Sequence, residues 1–402
     1  MKIVSLTLFL SIQAFYCVGQ QYYNTEKFFT YVSEKIVPNL SAKPAYRSAW
    51  ISFIEIRSES DEFLLPNQEY QLRITPLSPG QRRSRKDYLN LLYQKTEIQQ
   101  IEEQQVFLSL IYKEWVDLYL HHELLQLYKA KDSILHDQLV LLKNNLNSKN
   151  FGYKKILSKE KEKQLLNIKI NDHKTAFQSI IDYYAISDQL VSFDDLITID
   201  VLKDKITVLL KERGNIPLKE DQIDANLISK EIAIEKSNRN NIFDFFQLNY
   251  QGPHQLDIEE KITVGIGLKL SLGDNSKLKL KELQLEQEEE LYKKQMDSIH
   301  TVYHRNKLKD QIFREITYYN LYQNLDHTTS KTSKDLESYL LAGDLDKSLE
   351  ILEIKEDVNQ TKIDMLIKKT QILQDYIDLL FSFYLLEPGE TNYFLNTPTS
   401  LN

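Results

Sequence analysis

The chain is poor in punctuation. Its 402 residues include 10 glycines and 9 prolines, so turns are scarce and the elements between them must be long. It has one cysteine, Cys17, which excludes a disulfide-stapled fold. No segment approaches the roughly eighteen consecutive apolar residues of a membrane-spanning helix. If the chain spans a membrane, it must do so with β-strands. Basic residues are not gathered in one segment, and the formal net charge is −8. That balance argues against nucleic acid as a partner, because phosphate recognition needs a basic patch.

The N-terminus reads as an export leader. Lys2 supplies a minimal charged start, Ile3 to Phe15 is mostly apolar, and Cys17-Val18-Gly19 places small residues before a cleavage after Gly19. Residues 1–19 are therefore expected to be a signal peptide; the apolar run is too short to anchor well. Bulky Phe15 and Tyr16 stand where lipid attachment at Cys17 needs small residues. Cys17 is accordingly expected to leave with the leader.

What the chain does have, it has twice. Leu77-Ser78-Pro79-Gly80 ends an alternating strand pattern and opens a charged helical stretch, and Leu270-Ser271-Leu272-Gly273 does the same; 273 − 80 gives a lag of 193. Phe151-Gly152-Tyr153 and Ala342-Gly343-Asp344 each interrupt a long helical stretch, and 343 − 152 gives 191. The aromatic strand near Trp50 recurs at Ile242 to Tyr250. The spacing predicts two repeats, at 20–212 and 213–402. Strands are expected over about 49–58, 70–77, 242–250 and 261–272, and helices over about 81–147, 154–187, 276–340 and 346–386. A shorter helix is expected from Leu218 to Ser237, leading into the third strand, and another over Thr25 to Ile36.

The helices are the first clue to function. Gln81 to Asn147 contains no Pro or Gly, with apolar residues at helical spacing. A helix of about 65 residues is roughly 100 Å long and implies a coiled-coil or helical-barrel partner. The strands are the second. From Ile262 to Leu272, Ile262, Val264, Ile266, Leu268, Leu270 and Leu272 alternate with small or polar residues, glycines 265 and 267 among them. Such a run fits an ordinary half-buried strand or a tilted membrane-spanning one; four such segments behind an export leader favour the membrane. Four strands cannot close a barrel, and open edges are not tolerated in lipid. Copies must combine, and three chains give twelve strands.

These residues resemble the TolC family of outer-membrane efflux proteins over nearly the whole chain after the leader. The strongest stretch is Tyr339 to Glu353, with Tyr339, tip residue Gly343, and Leu349-Glu350-Ile351-Leu352-Glu353 opening the last long helix. The junctions at Leu77 to Gly80 and Leu270 to Gly273 are similar to the family's strand-to-helix turn, although the second lacks proline. The resemblance implies an α+β, mostly helical fold: a TolC-like channel-tunnel, with a trimeric 12-stranded β-barrel (four strands per chain) in the outer membrane and a long α-helical barrel in the periplasm. It also implies a homotrimer docked by its periplasmic tips, Phe151, Gly152, Tyr153, Ala342, Gly343 and Asp344, on a periplasmic adaptor (membrane fusion) protein, and through it on an inner-membrane pump. Glu350 and Glu353, one turn apart, become candidates for the pore constriction.

Other constellations carry less. His300 and His304 with Asp297 share a helical face, but no further metal ligand lies nearby. His121-His122-Glu123 lacks the second histidine of a zinc-protease helix. Gly265 and Gly267 sit inside a strand, not at a dinucleotide-binding turn. No nucleophile, base and orienter set is legible. The expectation is a non-enzymatic channel without cofactor or metal. The alternative class is a periplasmic coiled-coil adaptor or scaffold that does not span the membrane; it has no use for an eleven-residue lipid-facing alternation.

Overall fold

In the computed structural model, the described residues are 28, 49–60, 68–144, 153–184, 191–213, 223–251, 262–268, 275–339, 345–386 and 395. The elements run β1 (Ile51–Ser60), β2 (Gln68–Pro76), α1 (Pro79–Asn144), α2 (Tyr153–Tyr183), α3 (Ile199–Arg213), α4 (Ile223–Arg239), β3 (Phe243–Gln251), β4 (Ile262–Leu268), α5 (Asn275–Tyr339) and α6 (Leu345–Ser382). The expected strands and long helices are present to within a few residues, and α4 is the short helix expected before the third strand. The far end of the fourth expected strand, residues 269–272, lies outside the described residues, as does the expected helix at 25–36 apart from Phe28. Helix α3 was not anticipated.

The chain divides into two compact units. One comprises 39–102 and 216–302; the other comprises 1–38, 103–215 and 303–402. The first holds the sheet, whose order is β1-β2-β3-β4, with every neighbouring pair antiparallel. β1 and β4 are its two edges.

The entry into α1 explains itself locally. Ser78 Oγ accepts from the Gln81 N–H at 3.2 Å, while Gln81 Oε1 accepts from the Ser78 N–H at 2.8 Å. This reciprocal cap carries Pro79 at the first helical position, where its missing N–H costs nothing. Gln81 also donates to Asn238 Oδ1 at 2.7 Å, and a side chain added at Gly80 would stand 3.0 Å from Ser237 Oγ. The joint therefore ties the start of α1 to the end of α4. Along the same pair, Tyr88 donates to Glu231 at 2.7 Å, Lys230 meets Asp87 at 3.0 Å, and Lys95 meets Asp224 at 2.7 Å. Rising numbers on one helix meet falling numbers on the other, so α1 and α4 are antiparallel.

The second unit owns a core. Leu108, Ile111, Tyr112, Trp115 and Leu118 recur on one stripe of α1 and are almost wholly buried with Ile312 of α5 and Ile372, Leu373, Tyr376, Ile377 and Leu380 of α6. Phe28 stacks on Trp115 at 4.4 Å between ring centroids, and Phe193 packs on its indole at 5.0 Å. Leu202 and Ile206 of α3 enter the same core. Helix α6 ends where Tyr384 adopts a left-handed φ of 55°. There the Leu385 N–H returns to the Leu380 carbonyl at 3.1 Å, and Arg305 donates to the Ser382 carbonyl at 2.9 and 2.5 Å.

Candidate functional site

The sheet is two-faced, and its register proves it. Directly opposed residues of an antiparallel ladder share a face. One row joins Ile56, Leu72, Leu248 and Val264; the next joins Ile54, Ile74, Phe246 and Ile266. Beyond them toward the β1–β2 and β3–β4 connections lie Tyr70, Tyr250 and Ile262, the two tyrosine rings 6.4 Å apart. Apart from Ser58, opposite Tyr70, this face is hydrocarbon with an aromatic border. Among the described residues nothing covers it: Ile56 is 76% exposed, Ile266 64% and Leu268 68%. A face of this kind in water would be a severe liability.

The opposite face is polar. Arg57, Gln71, Asn249 and Thr263 form one row, and Glu55, Arg73, Gln247 and Gly265 the next. Both arginines of these rows are paired, Arg57 with Glu55 at 2.6 Å and Arg73 with Asp244 at 3.3 Å, while Glu59 and Glu69 stand opposite each other farther along the same face, Glu69 accepting from Gln251 at 3.1 Å. The Arg73 guanidinium lies 3.5 Å above the Phe245 ring. That ring fills the space over Gly267, where an added Cβ would fall 2.2 Å from Phe245 Cε1. Gly267 thus makes room for an aromatic platform carrying a cation. Sequence reasoning placed Gly267 in the strand and on the small, polar side. It missed Phe245, because a bulge between Phe243 and Phe245 shifts the alternation there.

A strand of nine or ten residues suits the bilayer. β1 has 10 residues and β2 and β3 have 9 each; at about 3.3 Å per residue and a tilt of about 40°, ten residues rise about 25 Å, the height of the apolar band of a membrane barrel.

The helical site residues lie in the other unit. Phe151, Gly152, Ala342, Gly343 and Asp344 lie outside the described residues. Tyr153 begins α2 with its ring 71% exposed. Leu139 and Leu142 near the end of α1, Ile156 near the start of α2 and Leu349 near the start of α6 form one apolar cluster, which brings Tyr153 and the start of α6 to the same end of this unit. Glu350 and Glu353 lie there on α6 with exposed side chains.

One turn further along α6, Glu356 does something different. It bonds Lys159 at 2.7 Å, Lys131 at 3.3 Å and Gln138 at 3.1 Å, while Glu162 joins Lys131 at 3.0 Å. This network crosses three helices, α1, α2 and α6. Burial alone would raise the Glu356 carboxyl; hydrogen bonding with Glu162, Lys159 and Gln138 and the Lys159 charge outweigh it and hold it at about 2. No local pattern in the sequence marked Glu356, because its partners are some two hundred residues away.

His121 and His173 meet across α1 and α2 with their Nδ1 atoms 2.8 Å apart. Burial lowers both, His121 additionally through His173. Their ring centroids are 5.0 Å apart, so the rings point head to head and share one proton. Among the described residues no group of three or more His, Cys, Asp or Glu is placed to hold a metal ion, and no helix is long and apolar enough to cross a membrane.

A four-stranded antiparallel sheet with a bare hydrocarbon face, each of its strand pairs followed in the chain by two long helices, defines the channel-tunnel class of fold. Solved structures of that class match the chain. MtrE of Neisseria gonorrhoeae, an outer membrane channel in its open state, matches with a TM-score of 0.59 at 10% identity, over 84% of this chain and 81% of that one. The outer-membrane channel OprN matches with a TM-score of 0.58 at 8% identity, over 82% and 79%. VceC, an outer membrane protein of Vibrio cholerae, matches with a TM-score of 0.57 at 10% identity, over 82% and 85%. No protein-family model and no curated protein matches the sequence. The fold expected from the TolC-family resemblance is the fold the chain has.

Proposed function

We propose that the chain is one protomer of an outer-membrane export channel. The single observation that carries this reading is the sheet: one face almost entirely hydrocarbon and exposed, the other polar, and the outer edges of β1 and β4 without a neighbouring strand among the described residues. In lipid those edges require partners, and an antiparallel β4-to-β1 pairing between three copies closes twelve strands around the polar face. The channel likeness of the fold supports the same reading.

The conduit is passive and non-enzymatic, with energy supplied by an inner-membrane pump that it reaches through a periplasmic adaptor. Phe151, Gly152, Tyr153, Ala342, Gly343 and Asp344 form the tips that meet the adaptor, and Glu350 and Glu353 ring the narrow end of the tunnel. The chain is read as a leader, 1–19, followed by two repeats, 20–212 and 213–402. The near-equal lengths of α1 and α5, 66 and 65 residues, each following a strand pair, support the duplication.

Fractionation tests the channel. A heat-modifiable trimer in outer membranes is the expected result, and a soluble periplasmic monomer would restore the adaptor reading. Conductance tests the constriction: Glu350→Ala with Glu353→Ala should weaken cation preference in planar bilayers, and unchanged selectivity removes these residues from the pore.

A further inference from the structure

We infer that the helix end of the sheet is a docking surface for the headgroups of anionic phospholipids, formed by a basic belt next to the hydrocarbon face. The inference rests on the channel reading and adds to it the lipid that the channel selects. Three helix ends meet at this place. Gln81 and Asn238 tie the start of α1 to the end of α4, and Leu280 and Leu283 near the start of α5 pack with Ile228 and Ile232 of α4. The ladders end there too, where Ile51 pairs with Pro76 and Phe243 with Leu268. All three helix ends are basic. The first turns of α1 carry Arg82, Arg83, Arg85 and Lys86. The last turn of α4 carries Lys236 and Arg239, and Lys279 and Lys281 stand near the start of α5. The acids on the same turns are fewer: Asp87, which meets Lys230, with Glu235 and Glu282. Positive charge therefore prevails here, in a chain whose net charge is −8.

Position makes this excess of charge a lipid surface. Trp50 closes the β1–β2 ladder, its carbonyl accepting from the Leu77 N–H at 2.9 Å. Its ring is 70% exposed, and the Arg82 guanidinium lies 3.5 Å over it. On the strand side of Trp50 stand the exposed side chains of Ile54 and Leu268; on the helix side stand the exposed Arg83, Lys86 and Arg239. The surface thus passes from hydrocarbon through an amphipathic aromatic ring to cations. A bilayer passes in the same order from acyl chains through its interface to charged headgroups. The other end of the sheet has the opposite sign. Glu59 stands opposite Glu69 there, and the sequence joining β1 to β2 and β3 to β4 holds five acids and one lysine. Only the helix end complements an anionic leaflet.

The test reconstitutes the full-length protein into vesicles of equal parts phosphatidylcholine and phosphatidylglycerol, with bromine on the acyl chains of one lipid or the other. Brominated chains quench a neighbouring indole. Trp50 is exposed to them, while Trp115 is wholly buried and gives a constant background. In the wild type, phosphatidylglycerol should be favoured beside Trp50 about fivefold, and less as salt is raised. Arg83→Gln with Lys86→Gln should bring that preference below about twofold. Lys161→Gln with Lys174→Gln, at exposed lysines of α2, removes the same charge elsewhere and should leave the preference unchanged. Far-ultraviolet circular dichroism checks that the variants fold, and the wild-type preference needs no variant. Equal quenching by the two lipids in the wild type, a preference that survives Arg83→Gln with Lys86→Gln, or an equal loss in both variants overturns the belt and leaves the channel standing. Absence of quenching by either lipid overturns the channel reading, and the belt with it.

Discussion

The two units of this chain solve the problem of burying apolar surface in opposite ways. The helical unit is self-sufficient: Trp115, Tyr112 and Ile372 are wholly buried against other residues of the same chain. The sheet is not. Val264, Ile266 and Leu268 point away from the polar face and are each at least 60% exposed. The helical unit carries its solvent-free interior with it; the sheet, on the function proposed above, is given one by lipid and by other copies. The difference teaches where stability should depend on the environment and where it should not.

Substitutions can break or sharpen that contrast. The largest effect belongs to the helical core: Trp115→Ala should cost about 3–5 kcal/mol, measured by denaturant unfolding of the helical signal, in detergent or lipid alike. Next comes the sheet. Val264→Arg should cost about 2–4 kcal/mol of folding into bilayers, while its neighbour Thr263→Arg, on the other face, should cost almost nothing. Equal costs at the two positions would abolish the two-faced reading.

A third effect is internal to the helical unit. Glu356→Gln should destabilise it by about 2 kcal/mol, because two lysines lose a partly buried carboxylate. The sign of the pH dependence follows. The Glu356 carboxyl lies at about 2 in the folded protein against an ordinary 4.5, so its contribution is complete above about 4.5 and lost as pH falls from there toward 2. Thermal melts between pH 6 and 2.5 should show that loss in wild type and less of it in the variant.

The smallest effect is at the histidine pair. Imidazoles lowered in the folded state favour the neutral form, so stability is full above the ordinary value and declines as pH drops below it. His121→Leu with His173→Leu should flatten the melting profile between pH 7 and 5 by about 1–2 °C. An unchanged slope would mean that the two imidazoles bind protons equally in the folded and unfolded states.

Much of this was legible beforehand, for reasons that differ by element. The long helices announce themselves through absence: with no Pro or Gly between Gln81 and Asn147, nothing is there to stop them. β4 is legible because its alternation is clean, whereas the Phe243 to Phe245 bulge hides which side Phe245 takes. Helix α3 was missed because its 15 residues, Ile199–Arg213, close the first expected repeat, and no helix was expected about 193 residues later to serve as its template. The Glu356 network and the His121–His173 contact were invisible because both depend on how α1 meets α2 and α6 laterally. Helical periodicity gives the face that is buried, not the residue that it meets.

The joint at Ser78 has a consequence for assembly. A sheet with one oily and one polar side has no tolerance for slippage: a shift of one residue between β2 and β3 would turn every side chain to the wrong side. β2 feeds directly into the capped start of α1, and β3 follows directly from the end of α4. Gln81 and Asn238 bolt those two helix ends together. The joint therefore works as an indexing pin. It lets α1 and α4 set the phase of the strands, so that which side chains take the oily side and which the polar side is decided before the sheet meets any partner.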